Sequence, residues 1–264
     1  MLIQNAVLGD HNVCFYSSPK ERQKVLFSNL KAGLDQNCSA LYITSRENIK
    51  PAQAEMKDFG LTVDDPKKMR IIPSRQFYIP DGEFHISRIV EQVKGILDDS
   101  LDSGFEGLYV SSDASKVFDY MTKNGMLEEW IAYEKFIGKT LPVPLEGICV
   151  YSLNQVISNS QLFFQLIQAH KNTVNAKKNE SMDNEKICIN TITSELDRML
   201  GKEATEFIFR FLEKRFKTPR NKILPNIVEF NQGLDVLLGY SASTIKNQFL
   251  KKLHKKLELT NLRV

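Results

Sequence analysis

At 264 residues the chain is long enough for one large domain or two modest ones, and its 42% hydrophobic and 25% charged residues exclude global disorder and collagen-like or coiled-coil structure. Its four cysteines show no CxxC spacing, no apolar run reaches about 18 residues and no signal peptide opens the chain, so we expect a cytoplasmic protein without membrane contact. The net charge of +3 divides into −3 over residues 1–175 and +6 over residues 176–264, where 17 basic residues face 11 acidic ones.

Short apolar runs alternate with amphipathic helical stretches over the first two thirds of the chain. Runs rich in β-formers predict strands at 12–16, 40–44, 70–73, 106–112 and 147–151. Apolar residues at helical spacing predict helices at 19–34, 51–59, 84–101, 127–137 and 155–170. The strands show no alternation of polar and apolar residues, which is typical of a parallel sheet covered on both faces. The predicted fold class is therefore α/β with a three-layer, parallel-sheet domain, whose ligands would lie beyond the carboxyl ends of the strands.

The pattern changes near residue 171. Residues 171–186 carry almost no large apolar side chains and predict a linker or the frayed end of a helix. Beyond them, apolar residues recur at helical spacing in stretches at 187–200, 203–216, 223–238 and 241–259. The predicted organisation is an α/β domain at 1–172, a polar linker at 173–186 and a small all-α domain at 187–264.

The junction between the first strand and the first helix is where a P-loop ATPase holds phosphate. That loop needs glycines, so that backbone N–H groups can approach the phosphates, and a lysine followed by serine or threonine. Residues 17–25 read SSPKERQKV, with no glycine, a carboxylate at Glu21 and Val25 after Lys24. We therefore expect no Walker motif, no nucleotide or other cofactor, and no enzymatic activity. An ATPase with an unusual phosphate site that uses Lys20 or Lys24 is kept as a remote alternative.

Several short motifs occur in the order of a known sensory family. They are DHNVCFY at 10–16, KAGLDQNCSALYIT at 31–44, QFY to GEF at 76–84, the pair Tyr133-Glu134 and GICVY at 147–151. Together they resemble the MEDS domain, the sensory domain of methanogen/methylotroph DcmR proteins, over about residues 8–172. The resemblance implies a degenerate KaiC/RecA-like fold without Walker motifs and a sensor of small molecules such as hydrocarbon derivatives. This chain departs from the family at 111–116, where SSDASK replaces the usual Gly-Glu and Trp.

Strand positions and the resemblance together select the candidate ligand residues. They are His11, Cys14, Tyr16, Ser112, Asp113, Tyr133, Glu134 and Tyr151. His11 is either a ligand contact that titrates near neutral pH or a structural hydrogen-bonding group. Tyr16 lies beside the degenerate loop and is either a pocket residue or a core residue. Strand alternation places these two side chains on opposite faces.

Other candidates have equally simple structural interpretations. Asp113 follows the fourth strand, where an ATPase keeps its magnesium carboxylate, or it caps the next helix together with Ser112. Glu134 either accepts a hydrogen bond in a pocket or is a solvated helix carboxylate. Cys14 and Cys149 could join His11 in a metal cluster, but their spacing matches no zinc pattern and buried cysteine is usually a small hydrophobe. We therefore expect no metal site.

The C-terminal region is similar to a helical output domain of archaeal signalling proteins, the Nitrosopumilus output domain. The similarity rests on SEL at 194–196, FNQGL at 230–234 and the stretch 239–253, and it implies archaeal signal transduction. The last helix is basic, with Lys246, Lys251, Lys252, Lys255 and Lys256. These lysines could contact DNA phosphates or a protein partner, or form the charged outer face of a bundle helix. The stretches 226–238 and 244–257 also have the lengths of a helix-turn-helix.

Two functions from different classes follow. The leading prediction is a non-enzymatic signalling protein in which a small-molecule effector binds the α/β domain and changes how the helical domain is presented to a protein partner. The alternative is a transcriptional regulator that binds DNA through the basic C-terminal helices. Self-association as a homo-oligomer is left open, and neither the ligand nor the partner is named by the sequence.

Overall fold

The computed structural model describes residues 8–62, 65–156, 160–175 and 180–257. Parts of four predictions lie outside the described residues: the N-terminus at 1–7, a helix segment at 157–159, part of the linker at 176–179 and the end of the last helix at 258–259. Within the described residues, no helix combines the length and the hydropathy that a membrane span requires.

A mostly parallel sheet occupies the centre of the structure. In the described part of the chain its strands are β1 (His11–Tyr16), β2 (Ser39–Thr44), β3 (Met69–Pro73), β4 (Leu108–Asp113), β5 (Leu145–Ser152), β6 (Asn172–Asn175) and β7 (Glu180–Asp183). Their order in the sheet is β3-β2-β4-β5-β1-β6-β7, and all neighbours are parallel except the antiparallel pair β6 and β7. The first five strands match the predicted strands, so the predicted mixed α/β class with a parallel sheet is confirmed.

Helices follow most strands. They are α1 (Pro19–Asp35), α2 (Ile49–Asp58), α3 (Ser74–Tyr78), α4 (Ile86–Asp102), α5 (Ser115–Lys123), α6 (Leu127–Thr140), α7 (Leu153–Val156), α8 (Ser160–Ala169), α9 (Asn184–Leu200), α10 (Lys202–Phe216), α11 (Ile227–Leu238) and α12 (Ser241–Lys256), with a 3-10 turn at Arg220–Lys222. The short helices α3 and α5 are absent from the sequence prediction, because one or two turns offer too few residues for a periodic pattern.

The two faces of the sheet are buried by different helices. On the α1 face, Cys14 packs with Leu26 of α1 and Met56 of α2. On the α6 face, Val13 packs in the core that includes Trp130 of α6 and residues of α4 and α8. Successive residues of a strand point to opposite faces, so the apolar runs that lack alternation supply both cores.

The structure differs from the predicted polar linker at 173–186. β6 continues the sheet beside β1, β7 pairs with β6, and α9 begins at Asn184. Thr173 is buried, and its hydroxyl donates to Oδ1 of Asn184 at 2.7 Å. Composition misleads here because the pairing of edge strands depends on backbone hydrogen bonds, which polar residues supply as well as apolar ones.

The C-terminal helices form as predicted and have a core of their own. It contains Ile192, Leu196, Phe209, Phe230 and Phe249. However, Cys188 of α9 and Leu253 of α12, together with Leu257, pack into the core on the α6 face of the sheet. The helical region therefore shares apolar contacts with the sheet, which differs from the predicted organisation of an α/β domain and a helical domain joined by a linker.

Candidate functional site

Four buried side chains with ligand chemistry meet on the α6 face, and we call them the His–Glu–Cys cluster. They are His11, Glu134, Cys149 and His170. None is more than 7% exposed, and one nitrogen, oxygen or sulfur atom from each lies within 4.8 Å of the others. The cluster therefore gathers two imidazoles, a carboxylate and a thiol in one small volume.

Strand pairing brings His11 and Cys149 of the cluster together. β1 and β5 are parallel neighbours, with His11 opposite Gly147 and Val13 opposite Cys149. Because alternate residues of a strand face the same side, His11 and Cys149 both project onto the α6 face. Sγ of Cys149 lies 3.6 Å from Nε2 of His11, within hydrogen-bond distance for sulfur.

A glycine in α6 allows the other two members to meet. A Cβ atom at Gly138 would lie only 2.0 Å from the carbonyl oxygen of Ala169, so a larger residue would force α6 and the end of α8 apart. Glu134 precedes Gly138 by one helical turn, and His170 follows Ala169. Residues four apart share a helix face, so this close approach places Glu134 beside His170.

The imidazole of His170 has a defined orientation. Its Nδ1 lies 2.7 Å from the carbonyl oxygen of Leu166. A carbonyl can only accept, so Nδ1 carries the proton and donates it. Nε2 then faces Glu134, 3.3 Å from Oε2. Nε2 of His11 lies 3.5 Å from the same oxygen, so two imidazole nitrogens converge on one carboxylate oxygen.

Two aromatic side chains hold the carboxylate from its other side. The hydroxyl of Tyr151 donates to Oε1 of Glu134 and accepts the indole N–H of Trp130 at 3.0 Å. Both rings are fully buried. One oxygen of Glu134 is thus fixed, while Oε2 has no hydrogen-bond donor.

Burial sets the protonation of the cluster. It lowers the pKa of His11 to about 3, with His170 adding to the effect and Glu134 opposing it. Burial disfavours ionisation of Glu134, but the nearby imidazole of His170, with smaller contributions from His11 and Tyr151, outweighs burial and lowers the pKa of this carboxyl. Burial and the neighbouring Glu134 raise the pKa of the Cys149 thiol well above its usual range. At neutral pH, His11 is therefore neutral, Glu134 is ionised and Cys149 is a thiol.

A cavity of about 30 Å³ adjoins the cluster between the sheet and α6. Its polar lining comes from His11, Cys149, Ser112 and Tyr133. The apolar lining includes Ile43, Phe77, Val93, Val110, Ile137 and Leu141. The cavity has room for a group of about the size of one water molecule, with both polar and apolar atoms in its lining.

A second polar group lies on the α1 face, at the carboxyl ends of β1, β2 and β4, and we call it the Asp113 group. Asp113 accepts hydrogen bonds from Ser45 at 2.6 Å, from Arg22 at 3.1 Å and from the hydroxyl of Ser115. The Tyr16 hydroxyl donates to Ser115 at 3.1 Å. The carboxylate of Asp113 is therefore neutralised by a guanidinium of the same chain.

The nearby N-terminus of α1 is also occupied by side chains of the chain. Ser18 caps the helix, accepting the N–H of Glu21 at 3.2 Å, and Pro19 lies in the first turn. Oε2 of Glu21 accepts the N–H of Ser17 at 2.8 Å. A phosphate cradle presents such N–H groups to an anion, whereas here a carboxylate of the protein takes one of them.

Besides Asp113, the α1 face contains a second buried carboxyl, Glu146, which sequence reasoning missed. Glu146 accepts N–H groups from Asn12 at 2.7 Å and Asn29 at 2.8 Å. Burial raises the pKa of Glu146 to about 8, and the two amide donors oppose this effect only in part. Cys14 lies on this face too, so β1 separates it from His11.

More than half of the chain matches the model of a known protein family. A family model described as MEDS, the methanogen/methylotroph DcmR sensory domain, matches residues 10–171. The chain belongs to the MEDS family. A search of curated proteins found no match. The matched segment of this MEDS protein begins one residue before His11 and ends one residue after His170, so it includes the whole His–Glu–Cys cluster. A sensory domain gives the protein a sensory or signalling role.

The structure distributes the predicted ligand residues of the MEDS domain over three places. They are His11, Glu134 and Tyr151 at the His–Glu–Cys cluster, Ser112 and Tyr133 at the cavity, and Tyr16, Asp113 and Cys14 on the α1 face. The structural alternative for Glu134 differs from what is observed, since Glu134 is buried rather than solvated. His11 faces Glu134 and lies within hydrogen-bond distance of Cys149, so both interpretations of His11 stay predictions.

Sequence reasoning missed half of the cluster. It considers Cys149 with Cys14 and His11 and sets the metal hypothesis aside, whereas in the structure Cys149 lies beside His11 and Cys14 lies on the opposite face of the sheet. His170 has no local motif, because its partners lie in other elements of the fold. The available signal was its position as the last residue of the predicted helix at 155–170, near the end of the MEDS resemblance.

The five lysines of α12 are not equally available. Lys246 pairs with Asp235 at 2.6 Å, and Lys252 lies 3.5 Å from a carboxylate oxygen of Glu195. Lys251 and Lys255 are exposed, and Lys256 is partly exposed. Two of the candidate contact residues are therefore already engaged with acidic side chains of the neighbouring helices.

Proposed function

We propose that this MEDS protein is a non-enzymatic signalling protein that binds a small effector at the cavity beside the His–Glu–Cys cluster and transmits the event to its C-terminal helices. The proposal rests on one observation: the cluster, the cavity and part of α12 belong to the same buried core. A change at the cavity can therefore reach α12 through packed side chains, because packed cores rearrange between discrete states.

Aromatic rings form the connection. The Tyr151 hydroxyl contacts Glu134, and the Tyr151 ring lies 6.4 Å from that of Phe15, centroid to centroid. Phe15 lies 5.1 Å from Phe163 of α8, and Phe163 lies 4.6 Å from the ring of His254 in α12. Each step is within the range of aromatic contacts, so these rings support coupling between the cluster and the C-terminal region.

The size and lining of the cavity support a small, weakly polar effector. A volume of about 30 Å³ holds about one water molecule. A ligand with several heavy atoms would therefore require α4 and α6 to move apart. A ligand that binds the opened arrangement more tightly shifts the population toward it. This is the mechanism by which effector binding would alter the position of α12.

The α1 face supports the proposal over nucleotide hydrolysis. Asp113 is paired with Arg22, and Glu21 accepts an N–H group at the start of α1, so the protein's own charges occupy the region in which an ATPase would bind phosphate and magnesium. We include in the proposal that the domain is a KaiC/RecA-like module that has exchanged its phosphate site for these internal contacts. We favour a protein partner for the C-terminal helices over DNA, because Lys246 and Lys252 are paired with acidic residues.

Trp130 provides a direct test. It is the single tryptophan of the chain and donates to Tyr151 beside the cluster, so its fluorescence reports on this site. The full chain is titrated with dichloromethane, ethanol and ethylamine as apolar, hydroxylic and cationic probes, with fluorescence and Tm as readouts. We expect a saturable fluorescence change and a higher Tm with the apolar or hydroxylic probe. If none of the three probes changes either readout, the proposal is wrong.

Two matched valine variants localise the response. Val110→Ile adds a methyl group to the wall of the cavity, whereas Val150→Ile adds one on the α1 face of the neighbouring strand. We expect Val110→Ile to weaken the probe response at least about tenfold, since it fills the space that the ligand needs. Val150→Ile should retain the response. Equal responses from both variants would place the binding site elsewhere.

A further inference from the structure

We propose that His11, Glu134, Cys149 and His170 form a binding site for a divalent transition metal ion, with Zn²⁺ as the best match. This inference goes beyond effector sensing, because it assigns a metal to the cluster and does not depend on what enters the cavity. It also differs from the expectation of the sequence, in which no metal site is predicted.

The spacing of the donor atoms fits tetrahedral coordination. Zinc bonds of about 2.0–2.3 Å place neighbouring ligand atoms about 3.3–3.8 Å apart. Oε2 of Glu134 lies 3.3 Å from Nε2 of His170 and 3.5 Å from Nε2 of His11, and Nε2 of His11 lies 3.6 Å from Sγ of Cys149. Three edges of a tetrahedron are thus in place, and the remaining pairs lie within 4.8 Å.

The donor types also favour zinc. Imidazole nitrogen, thiolate sulfur and carboxylate oxygen are all zinc ligands, and a mixed set of this kind suits zinc better than the hard cations Mg²⁺ and Ca²⁺. On binding, the Cys149 thiol gives its proton to solvent and becomes a thiolate. The thiolate and the Glu134 carboxylate then balance the 2+ charge inside the protein.

Two buried atoms need a cation or a proton between them. Oε2 of Glu134 and Nε2 of His170 have no hydrogen-bond partner, and both side chains are completely buried. Facing acceptors in a dry site are costly unless a positive species lies between them. A metal ion that binds both atoms removes this cost, whereas an apolar effector in the adjoining cavity would not.

The surrounding contacts resemble the outer shell of a metal site. The Nδ1–H of His170 donates to a backbone carbonyl, which directs Nε2 toward the cluster. Nδ1 of His11, by contrast, is buried without a hydrogen-bond partner, so its imidazole is held by the packing around it. Tyr151 fixes Oε1 of Glu134 and leaves Oε2 to the cluster. Such partners orient metal ligands and raise affinity in known sites.

A surface cleft supplies an access route. It has a volume of about 490 Å³ and is lined by His170 and Gly138 on one side and by Asn184 and Glu185 of α9 on the other. His170 therefore belongs to both the cluster and the lining of the cleft. Its side chain is completely buried, so entry of an ion from the cleft would require this side chain to move.

His170 also connects the site to the C-terminal helices. Nδ2 of Asn184, the first residue of α9, donates to the backbone carbonyls of His170 at 2.9 Å and Ile167 at 3.0 Å. A metal ion that fixes His170 therefore fixes the start of α9 as well. We infer that metal binding stabilises the observed arrangement of α8, β6 and α9.

The test uses Co²⁺ as a spectroscopic substitute for Zn²⁺. The full chain is stripped with a chelator, titrated with Co²⁺ and then with Zn²⁺ in competition. We expect one Co²⁺ per chain, strong visible bands of tetrahedral Co²⁺, a near-ultraviolet band from thiolate-to-metal charge transfer, and displacement by Zn²⁺. Absence of Co²⁺ binding at one equivalent, or binding with the weak spectrum of octahedral Co²⁺, would overturn the proposal.

Cysteine variants form a matched pair. Cys149→Ser should abolish the charge-transfer band, whereas Cys14→Ser, at a buried cysteine on the opposite face of the sheet, should leave it unchanged. Glu134→Gln should retain the contact with Tyr151 and lose more than the roughly 100-fold in affinity typical of an outer-shell partner. Circular dichroism and Tm confirm that each variant folds. A charge-transfer band that survives Cys149→Ser or disappears in folded Cys14→Ser would refute the site.

The result is independent of effector sensing. Failure of Co²⁺ binding leaves the response of Trp130 to small probes untouched, and failure of the small probes leaves the Co²⁺ spectrum untouched. A Zn²⁺-dependent rise in Tm in the unmodified chain, absent in Glu134→Gln, would link the metal to stability of the fold.

Discussion

The two faces of the sheet differ in the hydrogen-bond partners of their buried carboxylates. On the α1 face, Glu146 has an amide donor on each oxygen and Asp113 has Arg22, Ser45 and Ser115 as partners. On the α6 face, two imidazoles converge on an oxygen of Glu134 that has no hydrogen-bond donor. The comparison shows that burial alone does not identify a ligand site. Acceptors that face each other without donors are the feature that favours a cation at the α6 face, because they leave coordination positions for it.

The largest expected effect comes from blocking the close approach of α6 to α8 that brings Glu134 beside His170. Gly138→Ala places a Cβ atom 2.0 Å from the carbonyl oxygen of Ala169, so α6 must move away from α8. We expect a loss of about 3 kcal/mol in the free energy of unfolding, measured by urea denaturation. Gly95→Ala is the control, since a Cβ at this helical glycine meets nothing within 4 Å, and it should gain up to about 1 kcal/mol. Equal stabilities of the two variants would contradict the packing argument.

A charge variant tests how much the ion pair between Arg22 and Asp113 stabilises the α1 face. Arg22→Met removes the guanidinium 3.1 Å from the buried Asp113 and leaves Ser45 and Ser115 as its donors. We expect a loss of about 2–3 kcal/mol in urea denaturation, at the low end for a broken buried pair because Arg22 is partly exposed. Adding Asp113→Asn should recover part of the loss, since it removes the unpaired charge. A double variant less stable than Arg22→Met would show that Arg22 does not act through Asp113.

The α6 face should lose stability in acid. The pKa of His11 is about 3 in the fold against an ordinary 6.5, so between these values the unfolded chain binds a proton that the folded chain does not. The stability contributed by His11 is therefore lost as pH falls below about 6.5, with a slope of up to about 1.4 kcal/mol per pH unit. In the presence of chelator, His11→Asn should flatten the acid side of a plot of unfolding free energy against pH. An unchanged slope would mean that His11 does not titrate as its burial requires.

The stability contributed by Glu146 on the α1 face should be lost as pH rises, in contrast to that of His11. The pKa of Glu146 is raised from 4.5 to about 8, so the folded chain retains a proton that the unfolded chain releases. Its contribution is lost as pH rises through this interval, and between about 6.5 and 8 the opposing slope of His11 is absent. There we expect Glu146→Gln to reduce the fall by no more than about 2 kcal/mol, measured by denaturation at several pH values. A parallel pair of curves would show that Glu146 is ionised in the fold.

Much of the fold was readable in the sequence. The five parallel strands and the cap at Ser18 follow from apolar runs and local capping chemistry, and the MEDS family follows from motifs in order. The hairpin of β6 and β7 was not readable, because its pairing rests on backbone groups that every sequence carries. The same limit explains why the segment at 173–186 resembles a linker in composition.

The candidate site divides along a similar line. His11, Glu134 and Tyr151 were found because each lies in a local motif of the family, and strand alternation correctly separates His11 from Tyr16. Cys149 and His170 could not be assigned, because their partners are distant in the chain. The separation between His11 and Cys149 is 138 residues, and no local pattern encodes which strand lies beside β1.

By itself, the sequence determined the periodicity of the elements, the family and the lack of a Walker motif in SSPKERQKV at 17–25, since these depend on neighbouring residues. Only the tertiary structure decided that β5 pairs with β1 and that α6 approaches α8 at Gly138. Those two contacts place Cys149 beside His11 and His170 beside Glu134. They arise from packing between distant segments, where the fit of surfaces rather than local propensity selects the partner.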